Sequence, residues 1–111
     1  MAKFKKDNEK IKLIKKTVVS ELKKNPNFLG NKELKVCQEK SHVYNIDTVN
    51  IFIKQTDNNS YMIMLYNLSY EFNALCCIQN ALMNAFVIKK IDLHESNSKG
   101  NHYAATVVLK L

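Results

Sequence analysis

The chain has 111 residues, of which 46% are hydrophobic, and it contains only two glycines and one proline. This length fits one domain with a single hydrophobic core. The composition excludes fully disordered, collagen-like and low-complexity proteins. All 17 basic residues are lysines, and the formal net charge is +7. The whole excess lies in residues 1–40, which hold 12 lysines and five acids, whereas residues 41–111 hold five of each.

The first predicted element is a helix over residues 7–24. Its apolar residues recur at steps of three and four, which places them on one stripe of a helix. The members of the stripe are Ile11, Ile14, Val18 and Leu22. Such a narrow stripe suits either a partner helix or docking along one edge of the domain. Pro26 ends the helix, because the residue before a proline disfavours helical geometry.

The lysines of this helix allow two interpretations. Lysine runs often form the solvated face of a helix. A basic segment can also bind nucleic acid or an anionic surface through Coulomb attraction and counterion release. In that case the contacts to the anion would be Lys12, Lys15, Lys16, Lys23 and Lys24. The absence of arginine argues against bidentate recognition of guanine or phosphate.

A β-hairpin is predicted over residues 48–55 and 60–67. Apolar β-branched residues alternate along the first of these strands, the period expected when one face of a strand is buried. The run 61–66 is almost entirely apolar, and residues 56–60 have the composition of a turn.

The next predicted element is an amphipathic helix that starts after the candidate N-cap Ser69. One face carries apolar residues that we expect to lie on the sheet, namely Phe72, Leu75, Ile78, Leu82 and Phe86. The opposite face carries uncharged polar residues, namely Asn73, Cys77, Asn80 and Asn84. We interpret this polar face as the candidate protein–protein interface.

Two further strands are predicted, at 86–94 and 102–110. The order helix, strand, strand, helix, strand, strand predicts an α+β fold, with a four-stranded antiparallel sheet and helices on one face. We divide the chain into a lysine-rich helical segment, 1–30, and an α+β domain, 31–111.

The three cysteines are Cys37, Cys76 and Cys77. Two adjacent cysteines do not readily form a relaxed disulfide with each other, and no C-x-x-C spacing indicates a metal site. We expect Cys76 to pack as a small hydrophobic residue and Cys77 to face outward. The odd number of cysteines argues mildly against an oxidising compartment.

The sequence contains no motif for catalysis or for a cofactor. His94 and His102 flank one loop and, with Glu95, can approach each other as metal ligands. Solvent-exposed loop histidines are the simpler interpretation, because no spacing such as H-E-x-x-H occurs. The acidic residues show no pairing that would define an acid and a base, and Cys77 lacks the cationic setting of a reactive thiol. We therefore predict a protein that is not an enzyme and that binds no cofactor or metal.

The aromatic residues of the hairpin also have two interpretations. Phe52, Tyr61 and Tyr66 can lie on an open sheet face and stack bases, as aromatic residues do in RNA-recognition folds. The aromatic motif of that fold is absent here. The alternative is that these side chains belong to the core or to an interface.

One pattern spans residues 48–111. An apolar strand leads into an aromatic residue and a helix, and a second strand, a turn and a terminal aliphatic strand follow. The positions that carry it are Tyr70, Phe72 and Leu75 at the helix start, Leu82 and Phe86 on the helix, Val87, Ile88, Ile91 and Leu93 in the next strand, and Val107, Leu109 and Leu111 in the last. This pattern resembles the periplasmic ferredoxin-like domain of inner-membrane platform proteins of type IV pili and type II secretion systems. The lysine-rich N-terminal helix is similar to the coiled-coil stalk that precedes that domain.

The resemblance implies a non-enzymatic structural or assembly protein of a pilus, type II secretion or DNA-uptake inner-membrane platform. It implies action through dimerisation or pairing with a paralogous subunit, on the periplasmic side of the inner membrane. Members of the family carry a membrane span before the stalk. No segment here has the roughly 20 apolar residues of a span, so we expect the chain to follow such a span or to share only the fold. The alternative is a small cytoplasmic nucleic-acid-binding protein that uses the lysine-rich helix.

Overall fold

The computed structural model describes residues 5–96 and 104–111. In that part of the chain it contains two α-helices and five β-strands. They are α1 (Lys5–Lys24), β1 (Glu33–Val36), β2 (Thr48–Asp57), β3 (Ser60–Tyr66), α2 (Glu71–Ala85), β4 (Lys90–His94) and β5 (Ala105–Lys110). Short 3-10 turns at Pro26–Leu29 and Lys40–Tyr44 lie on either side of β1. The chain therefore has a mixed α+β fold.

The five strands form one sheet in the order β1-β2-β3-β5-β4. The pairs β2/β3, β3/β5 and β4/β5 are antiparallel. The edge strand β1 runs parallel to β2, with Leu34 opposite Val49 and Val36 opposite Ile51. The prediction of a four-stranded, wholly antiparallel sheet is therefore wrong in strand number and in the direction of one pair. A four-residue strand is too short to show the period of two in the sequence, and its parallel pairing is set by the tertiary structure.

The antiparallel part of the sheet is built from two similar units. Helix α1 precedes the hairpin of β2 and β3, with β1 between them, and helix α2 precedes the hairpin of β4 and β5. The second strands of the two hairpins pair in the middle, where Ile63 lies opposite Val107. Each unit is thus one helix followed by one hairpin.

Both helices pack on the same face of the sheet and on each other. The buried residues of this core come from α1, the following turn, the three central strands and α2. They are Ile14, Val18, Leu22, Phe28, Ile51, Ile53, Tyr61, Ile63, Leu65, Ala74, Leu75, Ile78, Leu82, Ala105, Val107 and Leu109. Strand alternation explains the choice of sheet residues, since every second side chain of β2, β3 and β5 points to one face. Helix α1 therefore shares a single core with the sheet and α2.

The start of α2 differs from the sequence prediction. Tyr70 is the N-cap, with φ of 50°, and no side chain caps the helix. Ser69, the predicted cap, instead donates its backbone N–H to the carbonyl of Phe28 at 2.9 Å. This bond ties the approach to α2 to the turn after α1. In the same turn Gly30 has φ of +57°, and a Cβ there would meet Ser69 Oγ at 2.5 Å, so both conformation and space favour glycine.

A second, smaller cluster covers part of the opposite sheet face. Its buried members are Cys37, Val43, Met64 and Tyr66. At its edge the fully buried Asn50 donates from Nδ2 to the carbonyls of Val43 at 2.7 Å and Asn45 at 2.8 Å. Asn50 Oδ1 accepts a hydrogen bond from the hydroxyl of Thr48 at 2.6 Å. These bonds hold the segment before β2 against the sheet.

Candidate functional site

Helix α2 leaves large apolar side chains in solvent. Phe72 is 58% exposed, Met83 is 54% exposed, and Val87, just after the helix, is 92% exposed. Positions 72, 76, 79 and 83 follow each other at steps of four, three and four, so they lie along one line of the helix. The position of Phe72 corrects the prediction that it belongs to the buried stripe. Because Ala74 is buried beside Leu75, the centre of the buried face shifts away from Phe72, which falls outside it.

The predicted interface residues of α2 divide into two groups. Asn73, Asn80 and Asn84 are exposed, as expected for an outer face. Cys77 is half-buried and packs against the main core, so the prediction that it faces outward is wrong. The reason is that position 77 lies between the helix positions of Ala74, which is buried, and Ala81, which faces α1. The small side chains of Ala74 and Ala81 let α1 approach α2 closely, so α1 covers the side of Cys77 that faces it.

The outward part of α2 forms one continuous uncharged surface. We call it the α2 surface and define it by Phe72, Asn73, Cys76, Asn80 and Met83. The sequence signal for it is that residues 72–88 contain no charged side chain in a chain that is 24% charged. Depletion of charge together with exposed aromatic and methionine side chains is typical of the core of a protein interface. The sequence pattern indicated the asparagines of this surface but not the outward position of Phe72 and Met83. Cys76 was expected to pack in the core, but it is half-buried and belongs to neither buried cluster.

The predicted lysine contacts lie on different sides of α1. Lys12, Lys16, Lys23 and Lys24 are exposed, whereas Lys15 is half-buried. Lys16 and Lys24 both line a groove between α1 and α2, with a volume of about 350 Å³. We call it the α1–α2 groove. Its lining residues are Lys16, Thr17, Ser20, Glu21, Lys24, Ala81 and Asn84.

A shallower depression adjoins the groove along α1. Its volume is about 430 Å³, and it shares Lys16, Ser20 and Lys24 with the groove while adding Val19 and Lys23. The groove and the depression together give this side of α1 a basic surface. Asn84, predicted as an interface residue, lies on the α2 wall of the groove.

Charges within the α1–α2 groove are not balanced. Among the described side chains, the ion pairs are His42 with Glu39 and Lys90 with Asp92, and neither involves α1. The single acid of the groove is Glu21, whose Oε2 accepts a hydrogen bond from Nδ2 of Asn25 at 3.1 Å. The lysines of the groove therefore present their ammonium groups to solvent.

The second cluster holds the thiol of Cys37. This residue is 3% exposed, and its Sγ lies 3.5 Å from the carbonyl oxygen of His42. Burial raises the pKa of the Cys37 thiol, and the nearby charge of Lys35 offsets the rise only in part. A raised pKa keeps the thiol protonated and unreactive at neutral pH.

The hairpin aromatics are largely enclosed. Tyr61 is fully buried in the main core, and Tyr66 is 8% exposed. Tyr66 makes an edge-to-face contact with Tyr44, with ring centroids 5.7 Å apart. Burial, and then the neighbouring Tyr44, raise the pKa of Tyr66. Only Phe52 remains half-buried on the sheet face away from the helices, so the tyrosines pack in the interior instead of forming a surface for stacked bases.

The predicted histidine pair is only partly described. His94 is exposed at the end of β4, and His102 lies outside the described residues. Within residues 5–96 and 104–111, no group of three or more histidine, cysteine or acidic side chains is placed to hold a metal ion. In the same part of the chain, neither helix is long and apolar enough to cross a membrane.

Comparison of the chain with protein-family models, with curated proteins and with solved structures finds no match. The function is therefore inferred from the α2 surface and the α1–α2 groove.

Proposed function

We propose that this protein is a non-enzymatic assembly subunit that pairs with a second copy of itself, or with a closely similar subunit, through the α2 surface. In the larger setting that the sequence pattern implies, it belongs to the inner-membrane platform of a pilus, secretion or DNA-uptake machine. The single observation that carries the proposal is the α2 surface itself, which is uncharged and exposes more than half of Phe72 and of Met83.

The exposed apolar side chains of this surface supply part of the energy of a specific contact. Burying a Phe or Met side chain completely contributes about 1.5–3 kcal/mol, so the exposed half contributes about 1 kcal/mol. In a symmetric dimer each residue occurs twice, since the same patch is used by both partners. Phe72 and Met83 together then supply about 4 kcal/mol. Asn73 and Asn80 beside them offer hydrogen bonds across the contact without the desolvation cost of a charge.

The topology is compatible with the implied domain. A ferredoxin-like unit has the element order β-α-β-β-α-β. Moving its first strand to the end gives α-β-β-α-β-β, which is the order of α1, β2, β3, α2, β4 and β5. We propose that these six elements are a ferredoxin-like unit with a shifted starting point, to which β1 is added at the edge. Helices on one face leave the outer side of α2 available to a partner.

Light scattering coupled to size-exclusion chromatography tests the pairing. We expect the wild-type chain to elute at twice its mass of 12.8 kDa. Phe72→Glu and Met83→Glu each place two charges in a symmetric contact, and each is expected to weaken the dimer by at least about 2 kcal/mol, or about 30-fold in Kd. Both substitutions are at exposed positions, so the fold is retained.

The matched control is Leu13→Glu. Leu13 is 52% exposed on α1, almost the same fraction as Met83, but it lies outside the α2 surface. If association were a general consequence of exposed apolar groups, Leu13→Glu would disrupt it equally, and the proposed surface would be wrong. A wild-type chain that stays monomeric at all concentrations would exclude pairing between identical copies.

A further inference from the structure

We infer that the α1–α2 groove binds the phosphate backbone of single-stranded nucleic acid. In this assignment Lys16, Lys23 and Lys24 provide the charge, and Ser20 and Asn84 provide hydrogen bonds. This site is separate from the α2 surface, and it does not depend on the proposed pairing.

The charge distribution points to this groove. Residues 41–111 carry equal numbers of lysines and acids, so the whole net charge of +7 lies in residues 1–40. Three exposed lysines of that segment line the groove or the depression next to it. The side chain of Glu21 is the one acid among these lining residues, and it offsets one of the three lysine charges. The groove and the depression therefore keep a net positive charge close to a concave surface, where attraction for an anion is strongest.

The spacing of the charges favours a chain of phosphates over a single phosphate. Lys16 and Lys24 are eight residues apart on α1, which corresponds to about 12 Å along the helix. This distance is much longer than one phosphate group, so the two lysines contact different phosphates of one strand. A groove between two helices also admits a single strand, whereas a flat membrane surface would touch only its rims.

The chemistry of the lining predicts binding without sequence preference. Lysine acts as a point charge and lacks the planar fork with which arginine reads guanine. The groove and the depression are lined by aliphatic, hydroxyl, amide and charged side chains, and none of the lining residues is aromatic. Base stacking, the usual second component of single-strand binding, is therefore not provided there. Contact is confined to phosphate and sugar.

The test uses fluorescence anisotropy of a labelled oligo(dT) strand titrated with the full chain. Each phosphate contact contributes about −0.7 to the slope of log K against log salt for a single strand. Three lysines then predict a slope of about −2 and a loss of about 20-fold in affinity between 50 and 200 mM salt. The double variant Lys16→Gln/Lys24→Gln is expected to reduce the slope to about −0.7 and to weaken binding at low salt by at least tenfold, an order-of-magnitude estimate.

The matched control is Lys54→Gln/Lys110→Gln, which lowers the net charge by the same amount. Both lysines are exposed, and both alternate with core residues of β2 and β5, so they project from the sheet face opposite the helices. We expect this control to bind oligo(dT) nearly as well as wild type. The assignment is overturned if the control loses as much affinity as the groove variant. It is also overturned if the chain binds vesicles of anionic phospholipid but not the oligonucleotide at 50 mM salt, a condition at which phosphate contacts of about this number remain strong.

Discussion

Replacing Asn50 by alanine is expected to lower the free energy of unfolding by about 3 kcal/mol. Asn50 is completely buried, and its side chain makes two hydrogen bonds to the carbonyls of Val43 and Asn45 and accepts one from Thr48. Each such bond contributes about 1 kcal/mol, so the loss of three gives the expected value. The carbonyl of Val43 loses this donor, whereas the carbonyl of Asn45 still accepts a hydrogen bond from Nδ2 of Asn67 at 3.0 Å. For a domain with a stability of about 5–10 kcal/mol, the lower half of the typical range, this loss is about 30–60% of the total.

Urea unfolding followed by circular dichroism measures this loss. The control is Asn27→Ala, the same substitution at an exposed position in the turn after α1, which is expected to change the stability by no more than about 0.5 kcal/mol. A second readout is the rate at which a thiol reagent modifies Cys37, because Asn50 holds the Val43 and Asn45 segment that covers this residue. An Asn50→Ala variant within about 1 kcal/mol of wild type, with Cys37 still protected, would refute the role assigned to these hydrogen bonds.

Two further predictions concern the main core and the buried thiol. Leu82→Ala removes a fully buried side chain and is expected to cost about 2–5 kcal/mol in urea unfolding, whereas alanine at Leu13, which is 52% exposed on α1, is expected to cost less than about 1 kcal/mol. Because burial raises the pKa of Cys37, the folded state holds this proton more tightly than the unfolded state. The contribution of the protonated Cys37 thiol to the free energy of unfolding is therefore fully present at neutral pH. It is lost as the pH rises above about 8.5, the pKa of an unfolded thiol. Urea midpoints measured at about pH 7.5 and pH 9.5 give this loss of stability. Cys37→Ala is expected to make the loss smaller. An unchanged loss would assign the pH dependence to other groups.

The elements that depend on local periodicity were predicted closely. The helix expected over 7–24 is α1 at Lys5–Lys24, and the strands expected at 48–55 and 60–67 are Thr48–Asp57 and Ser60–Tyr66. Such elements repeat a pattern of 3.6 or two residues over several turns or pairs, so neighbouring residues reinforce the same prediction. In contrast, β1 has four residues and pairs in parallel with a strand that begins more than ten positions later. Its existence depends on a contact that no local pattern encodes.

Some features of the candidate site likewise follow from the sequence, whereas others depend on how the helices pack. The sequence alone establishes that the positive charge lies in the N-terminal third and that residues 72–88 are uncharged. It also establishes that α2 has an apolar stripe through Leu75, Ile78 and Leu82. It does not establish which flank of that stripe α1 covers, because the rotation of a helix on a sheet depends on the neighbours with which it packs.

Tertiary packing decided the features on which function depends. The small residues Ala74 and Ala81 place α1 on one flank of α2, which covers Cys77 and leaves Phe72 and Met83 in solvent. The same contact brings Lys16 of α1 beside Asn84 of α2, although they are 68 positions apart in the chain. Composition and periodicity determine which side chains share a helix face. Only the packing of α1, α2 and the sheet determines which of those faces is buried and which remains available to a partner.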